Sequence, residues 1–191
     1  LVGDPVCWNE DNQVSADTIT IHFKNNELDY LHGWGNTIMS KHEGDNEFSQ
    51  MAGKEMFAYV RDGDIYLVDV QGNAETVFYP REEDGSYLGV NKTQSSFIKV
   101  YLKDRLVDYV IFTTATTGVM SPLSQATDED KFLVTFFWAV QERPRRPGDV
   151  FLRPERTPRP DAQAVSAAAA EEEEEDEEEY TNSSSRKRNR K

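Results

Sequence analysis

Apolar and polar positions alternate through "MFAYVRDGDIYLVDVQGN" (Met56–Asn73), break at Asp62-Gly63, and then alternate again. Period-two alternation puts successive side chains on opposite faces of a strand. Asp-Gly supplies the positive φ that a two-residue hairpin turn needs. The stretch therefore predicts a β-hairpin, and it has relatives in the chain. With Asp17 set against Lys54, "DTITIHFKNNELDYLHGWGN" lies on it without a gap. With Ser96 set against Lys54, "SFIKVYLKDRLVDYVIFTTATTG" lies on it too. Ile19, Met56 and Ile98 then correspond, as do Phe23, Val60 and Leu102, and Leu28, Ile65 and Val107. Gly35-Asn36 matches Gly72-Asn73 and marks the end of a unit. The pattern predicts three related hairpins.

Two-residue turns at Asn25-Asn26, Asp62-Gly63 and Asp104-Arg105 fix the expected pairings. Arg105 suits positive φ poorly, which points to a longer turn or another type in the third copy. In this register Phe23 opposes Leu28 and Ile21 opposes Tyr30. Val60 opposes Ile65 and Ala58 opposes Leu67. Leu102, Val100 and Ile98 oppose Val107, Tyr109 and Ile111. All of these share one face, with Lys24/Glu27 and Arg61/Asp64 as cross-strand ion pairs beside the first two turns.

"NEFSQMAG", "AETVFYP" and "GSYLGVNKT" read as further strands between the hairpins, and "FLVTFFWAV" (Phe132–Val140) as a buried strand too short to span a membrane. "SPLSQATDEDKFL" has room for one short turn of helix. The proline-dense run after Gln141 cannot supply a central strand. The body is therefore all-β and antiparallel, built from many short strands: a sandwich, a jelly roll or a meandering open roll.

Composition divides the chain. From Asp161 onward come an alanine run, nine consecutive carboxylates (Glu171–Glu179), a serine run and a basic end. This segment has too little apolar surface to offset ordering, so it is expected to be disordered. The expected organisation is a β-domain over 1–151, a Pro/Arg-rich strap over 152–160 and a charged tail over 161–191. Net charge is −14. The tail holds 10 acidic and 5 basic residues and the body 25 and 16, so both are acidic. An acidic body argues against a nucleic-acid partner; the terminal "RKRNRK" reads as a solvated counterweight to its own acidic run. The chain opens "LVGDPVCW" rather than with Met, which suggests an N-terminally incomplete domain.

Candidate chemistry is sparse. Cys7 is the lone cysteine, so no internal disulfide and no cysteine-based zinc site is expected. In the register above His22 opposes Asp29 on the solvent face, while His32 shares the other face with Ile19. They do not converge with His42, and no metal is expected. Ser95-Ser96 and "TTATT" have no histidine beside them for a triad, no Gly-rich phosphate loop is present, and "RDGD" lacks the remaining ligands of a calcium loop. No cofactor is expected. Lys24, Arg61, Lys103, Arg143, Arg145 and Arg146 are candidate contacts for lipid phosphates, although solvated turn charges explain them as well.

"ADTITIHFKNNELDYLHGWGN", "GKEMFAYVRDGDIYLVDVQGNAETVFYP" and "GVNKTQSSFIKVYLKDRLVDYV" resemble the OstA-like proteins of lipopolysaccharide transport, in the branch typical of Bacteroidetes-type bacteria. The likeness runs from about Pro5 to Phe151, and the "QGNAE" element and the ordered set of three units carry it. The family implies a periplasmic jelly roll, open along one side and built from repeated hairpins, with no enzymatic activity. Its apolar inner surface receives the acyl chains of lipopolysaccharide. Related jelly-roll proteins stack on its edge strands, between inner and outer membranes. The expected groove residues are Ile19, Ile21, Phe23, Leu28, Val60, Ile65, Leu67, Ile98, Val100, Leu102, Val107 and Ile111. The alternative is a structural or adaptor β-domain whose same residues form a closed core, with the charged tail making protein contacts.

Overall fold

The computed structural model describes residues 1–9, 11–82, 84–146 and 148–149. The expected strap over 152–160 and tail over 161–191 lie outside the described residues. Nine strands form one antiparallel sheet: β1 (Val6–Asn9), β2 (Asn12–Ser15), β3 (Thr18–Lys24), β4 (Glu27–Gly44), β5 (Glu47–Arg61), β6 (Asp64–Phe78), β7 (Val90–Lys103), β8 (Leu106–Thr113) and β9 (Thr117–Ser121). The order is β1-β2-β4-β5-β6-β7-β8, with β3 also on β4 and β9 also on β7. One helical turn, α1 (Asp128–Lys131), falls inside the segment expected to hold it.

The fold is all-β and antiparallel, as the alternation predicts, but the strands are longer. "NEFSQMAG", "AETVFYP" and "GVNKT" do not make strands of their own: they continue β5, β6 and β7. The four central strands therefore have a near half, beside the three repeated turns, and a far half. β3 and β2 cover the near and far halves of β4, and β8 and β9 do the same for β7.

Two sets of bulges shape this sheet. The first lies just inside each turn. Phe23 pairs with Leu28, Val60 with Ile65 and Leu102 with Val107, as expected. One residue is then looped out of the second strand in every copy (Asp29, Tyr66, Asp108). Beyond it His22 pairs with Tyr30, Tyr59 with Leu67 and Tyr101 with Tyr109. The expected partners Ile21/Tyr30, Ala58/Leu67, Val100/Tyr109 and Ile98/Ile111 are therefore displaced by one. The true partners are Leu31, Val68, Val110 and Phe112. A one-residue slip moves a side chain to the other face, so Tyr30, Leu67, Tyr109 and Ile111 leave the inner face and Leu31, Val68, Val110 and Phe112 join it. The third turn is not a longer one. Asp104 and Arg105 both take positive φ (51° and 64°), like Asn25-Asn26 and Asp62-Gly63, and the Arg105 Nε–H donates to Asp64 of the neighbouring hairpin at 2.8 Å.

The second set lies between the halves. Gly35-Asn36 (φ 70° and 44°), Gly72-Asn73 (75° and 49°) and Thr114-Ala115 (66° and 48°) occupy equivalent repeat positions. They do not end a unit. They bend it: the ladder loses register at Trp34/Thr37, Ala52/Glu55 and Gln71/Ala74 and resumes beyond. A Cβ on Gly35 would lie 2.2 Å from Asp17 Oδ2 in a left-handed backbone, so any side chain there would be strained and would have to displace the Asp17 carboxylate. The bond that closes the bend recurs, with the Asp17 N–H on the Gly35 carbonyl at 2.8 Å and the Ser96 N–H on the Thr114 carbonyl at 3.1 Å.

Bending folds the inner face onto itself. Its buried cluster takes Val14, Met39 and Ala74 from the far half and Ile19, Met56, Ala58, Val68, Val70, Ile98 and Val100 from the near half. The outer side of the far half carries a second cluster of Ile38, Ala52, Val77, Tyr79 and Val90. "FLVTFFWAV" covers it, but not as a strand. Residues 122–142 form an irregular belt whose Leu133, Phe137 and Ala139 are buried against this cluster. The belt fails to pair because it crosses the far half of the sheet instead of extending it.

Replacing Gly72 by Ala is expected to cost about 1–2 kcal/mol, the penalty of a left-handed side-chain-bearing residue, whereas Thr114→Gly with Ala115→Asn is expected to gain about 1 kcal/mol. Denaturant melts measure both. Burial pushes the Tyr79 hydroxyl up to about 12, with the nearby Glu47 charge adding to it. The folded state thus favours the protonated form, and that stabilisation is whole below the unfolded pKa of about 10. It is lost as pH rises through about 12. Tyr79→Phe is expected to flatten this part of the alkaline fall in denaturation midpoint.

Candidate functional site

The inner face is sealed at one end and open at the other. Along β3 the exposure of successive inner residues rises from 0% at Ile19 to 39% at Ile21 and 68% at Phe23. Along β5, Met56 and Ala58 are buried and Val60 is half-buried; along β7, Ile98 and Val100 are buried and Leu102 is half-buried. The bends bring the near and far halves together at one end, while the hairpins diverge from any cover toward their turns. The result is an apolar mouth lined by Ile21, Phe23, Leu28, Val60, Ile65, Leu102 and Val107, with Leu31, Val110 and Phe112 beside them.

The twelve groove residues expected from sequence divide in three. Ile19, Ile98 and Val100 are core at the sealed end. Ile21, Phe23, Leu28, Val60, Ile65, Leu102 and Val107 line the mouth. Leu67 and Ile111 are on the outer face, opposite Tyr59 and Lys99. Leu31, Val110 and Phe112 were missed, and the sequence does hold the signal. In an unbulged register Asp69 falls inward and Val68 and Val70 outward, which charge and apolarity both oppose. One extra residue in the strand repairs this.

The outer face of the near half is aromatic. A cross-strand row runs His22, Tyr30, Tyr59, Leu67, Tyr101, Tyr109. The rings lie on one another, with centroids 4.1 Å apart for His22–Tyr30 and 4.4 Å for Tyr101–Tyr109. They serve as cross-strand pairs. The next row holds the buried Asp69, which receives Lys99 Nζ at 3.3 Å and the Gln71 side-chain amide at 3.3 Å.

The register shift also moves a histidine. His32 is on the outer face with His22, opposite Thr20, and stacks on Phe57 at 4.2 Å; it does not share a face with Ile19 as the unbulged register requires. His42 packs against Phe48 and, in the belt, Trp138, whose rings also meet each other. Among the described residues no group of three or more His, Cys, Asp or Glu is placed to hold a metal ion. Burial raises the Cys7 thiol above its ordinary value, which keeps it protonated. Ser95 Oγ bonds the Thr113 and Thr114 carbonyls and steadies the third bend. The candidate phosphate contacts separate: Lys24, Arg61 and Lys103 are exposed beside the turns, and Arg61 stacks on Tyr66. Arg143 lies over Trp8, at the far half. No helix among the described residues is long and apolar enough to cross a membrane.

No family model matches this chain, and no curated protein matches it.

The mouth and the sealed end are expected to respond differently to truncation. Phe23→Ser should change unfolding free energy by no more than about 0.5 kcal/mol, while Ile98→Ala should cost about 2–5 kcal/mol. Equilibrium urea melts separate the two.

Proposed function

We propose that the mouth of the inner face receives acyl chains and that the protein is a non-enzymatic lipid-transport module. The OstA-like resemblance makes the lipid lipopolysaccharide and the compartment the periplasm. The observation that carries this reading is the exposure gradient. Large apolar side chains that stay in water next to a buried apolar floor are poised to gain on covering, at about 0.8 kcal/mol for each methylene that leaves water. The floor at Ile19, Met56, Val70 and Ile98 stops the chain ends, so the site takes the ends of acyl chains without letting them through. Charges beside the turns, Lys24, Arg61 and Lys103, sit where the headgroup phosphates of such a lipid would lie. The outermost strand β8 offers an edge for a related sheet, which is the stacking that the resemblance implies.

The sealed end favours a second reading, the adaptor domain with a closed core. A photo-crosslinker placed at Phe23, Val60 or Leu102 in cells separates the two. Capture of lipopolysaccharide from these positions, and none from Leu67 or Ile111 on the outer face, is the expected result. Equal capture from both faces, or none from the mouth, overturns the transport reading in favour of the adaptor.

A further inference from the structure

The belt is held as a ligand is held. The Gln13 carboxamide donates to the Phe137 carbonyl at 2.9 Å and accepts from the Ala139 N–H at 2.7 Å. The Gln50 carboxamide donates to the Lys131 carbonyl at 2.7 Å and accepts from the Leu133 N–H at 2.8 Å. Each side chain thus reads the carbonyl of one residue and the N–H of the residue two further on, as the N–H and C=O of one residue in a parallel neighbouring strand would. The two glutamines stand in one cross-strand row, joined through Ser40. Both are fully buried beneath the belt, so these bonds satisfy groups that the belt shuts off from water; the Gln50 amide also donates to the Phe48 carbonyl at 2.9 Å.

The two clasps are six residues apart on the belt, yet only two strand spacings apart on the sheet, roughly 10 Å. A turn takes up the excess, with the Phe136 N–H bonded to the Leu133 carbonyl at 2.9 Å. At the clasps, Leu133 and Phe137 fill the second cluster, and Ala139 is completely covered. Removing the belt breaks these contacts but no pair in the strand ladder. The belt is joined to β9 through Pro122 and the residues leading to α1.

We propose that the outer face of the far half is a built peptide-recognition site, occupied here by the chain's own residues 131–139, and that it takes the same segment from a second copy when its own belt is released. The occupant follows from what the site reads. It selects a backbone with paired clasps at one spacing, around a turn, with Leu, Phe and Ala at fixed places. The segment that satisfies all of these is the belt itself. Exchange of an identical element between copies needs no new contacts.

Two full-length variants test this by complementation. One carries Leu133→Asp and Phe137→Asp, which releases the belt and leaves the site. The other carries Gln13→Ala and Gln50→Ala, which damages the site and leaves the belt. Light scattering coupled to size exclusion is expected to find a 1:1 heterodimer in the mixture and none in either variant alone. Two monomers in the mixture, with native-like sheet signals, overturn the proposal, as does collapse of the sheet when the belt is released. A synthetic peptide of residues 128–141 gives an independent readout. It should bind the belt-released chain at least ~10-fold more tightly than the wild type, whose site is filled; adding the glutamine replacements should weaken it by ~10-fold or more. Equal binding to all forms overturns the proposal. In the wild-type chain, hydrogen exchange at Leu133 and Ala139 should be faster than at Met56 and Ile98, showing an opening of the belt alone. A single shared opening would show that the belt is not separable, and the proposal would fall.

Discussion

Pairs of consecutive left-handed residues at Gly35-Asn36, Gly72-Asn73 and Thr114-Ala115 decide the shape of the sheet. Without them β4 to β7 would run straight, and a sheet with one apolar face needs a second layer to cover it. The bends let that face cover itself, so Ile19, Met56, Val70 and Ile98 reach complete burial with no other layer of the described chain over them. Two copies meet the conformational demand with glycine and asparagine. The third meets it with threonine and alanine, at a cost that the Ser95 hydroxyl offsets by bonding the Thr113 and Thr114 carbonyls.

The same bends explain why burial is graded. Self-covering is complete where the halves meet and fades toward the turns, so Phe23 and Val107 stay in water while Ile98 does not. The exposed apolar mouth and the closed core are thus two ends of one surface. The bulges inside the turns then decide which side chains belong to it. By looping out Asp29, Tyr66 and Asp108 they direct Val68, Val110 and Phe112 inward, and gather the tyrosines on the opposite face.

Much of this was legible in the residues. The three hairpins, the first two turns and the first pair beyond each turn follow from alternation and from Asn, Asp and Gly at the turn positions. So does the all-β antiparallel class. The faces beyond the first pair did not follow, because a bulge is a one-residue event that leaves the repeat intact; only Asp69, which an unbulged register would turn inward with Val68 and Val70 outward, signals it. The belt was misread for a different reason. Phe132–Val140 has the apolarity of a buried strand, but its backbone partners are the side chains of Gln13 and Gln50, more than a hundred and about eighty residues away. No local pattern records a side-chain amide acting as a strand.

The central claim is that the inner face ends in an apolar mouth able to take an acyl chain. Methyl-resolved nuclear magnetic resonance during titration with a short-chain glycolipid tests it most directly. The account predicts saturable shifts at Ile21, Leu28, Val60, Ile65 and Leu102, with Ile19 and Ile98 little moved and Leu67 and Ile111 unaffected. Shifts confined to Leu67 and Ile111, or none at the mouth, would contradict it.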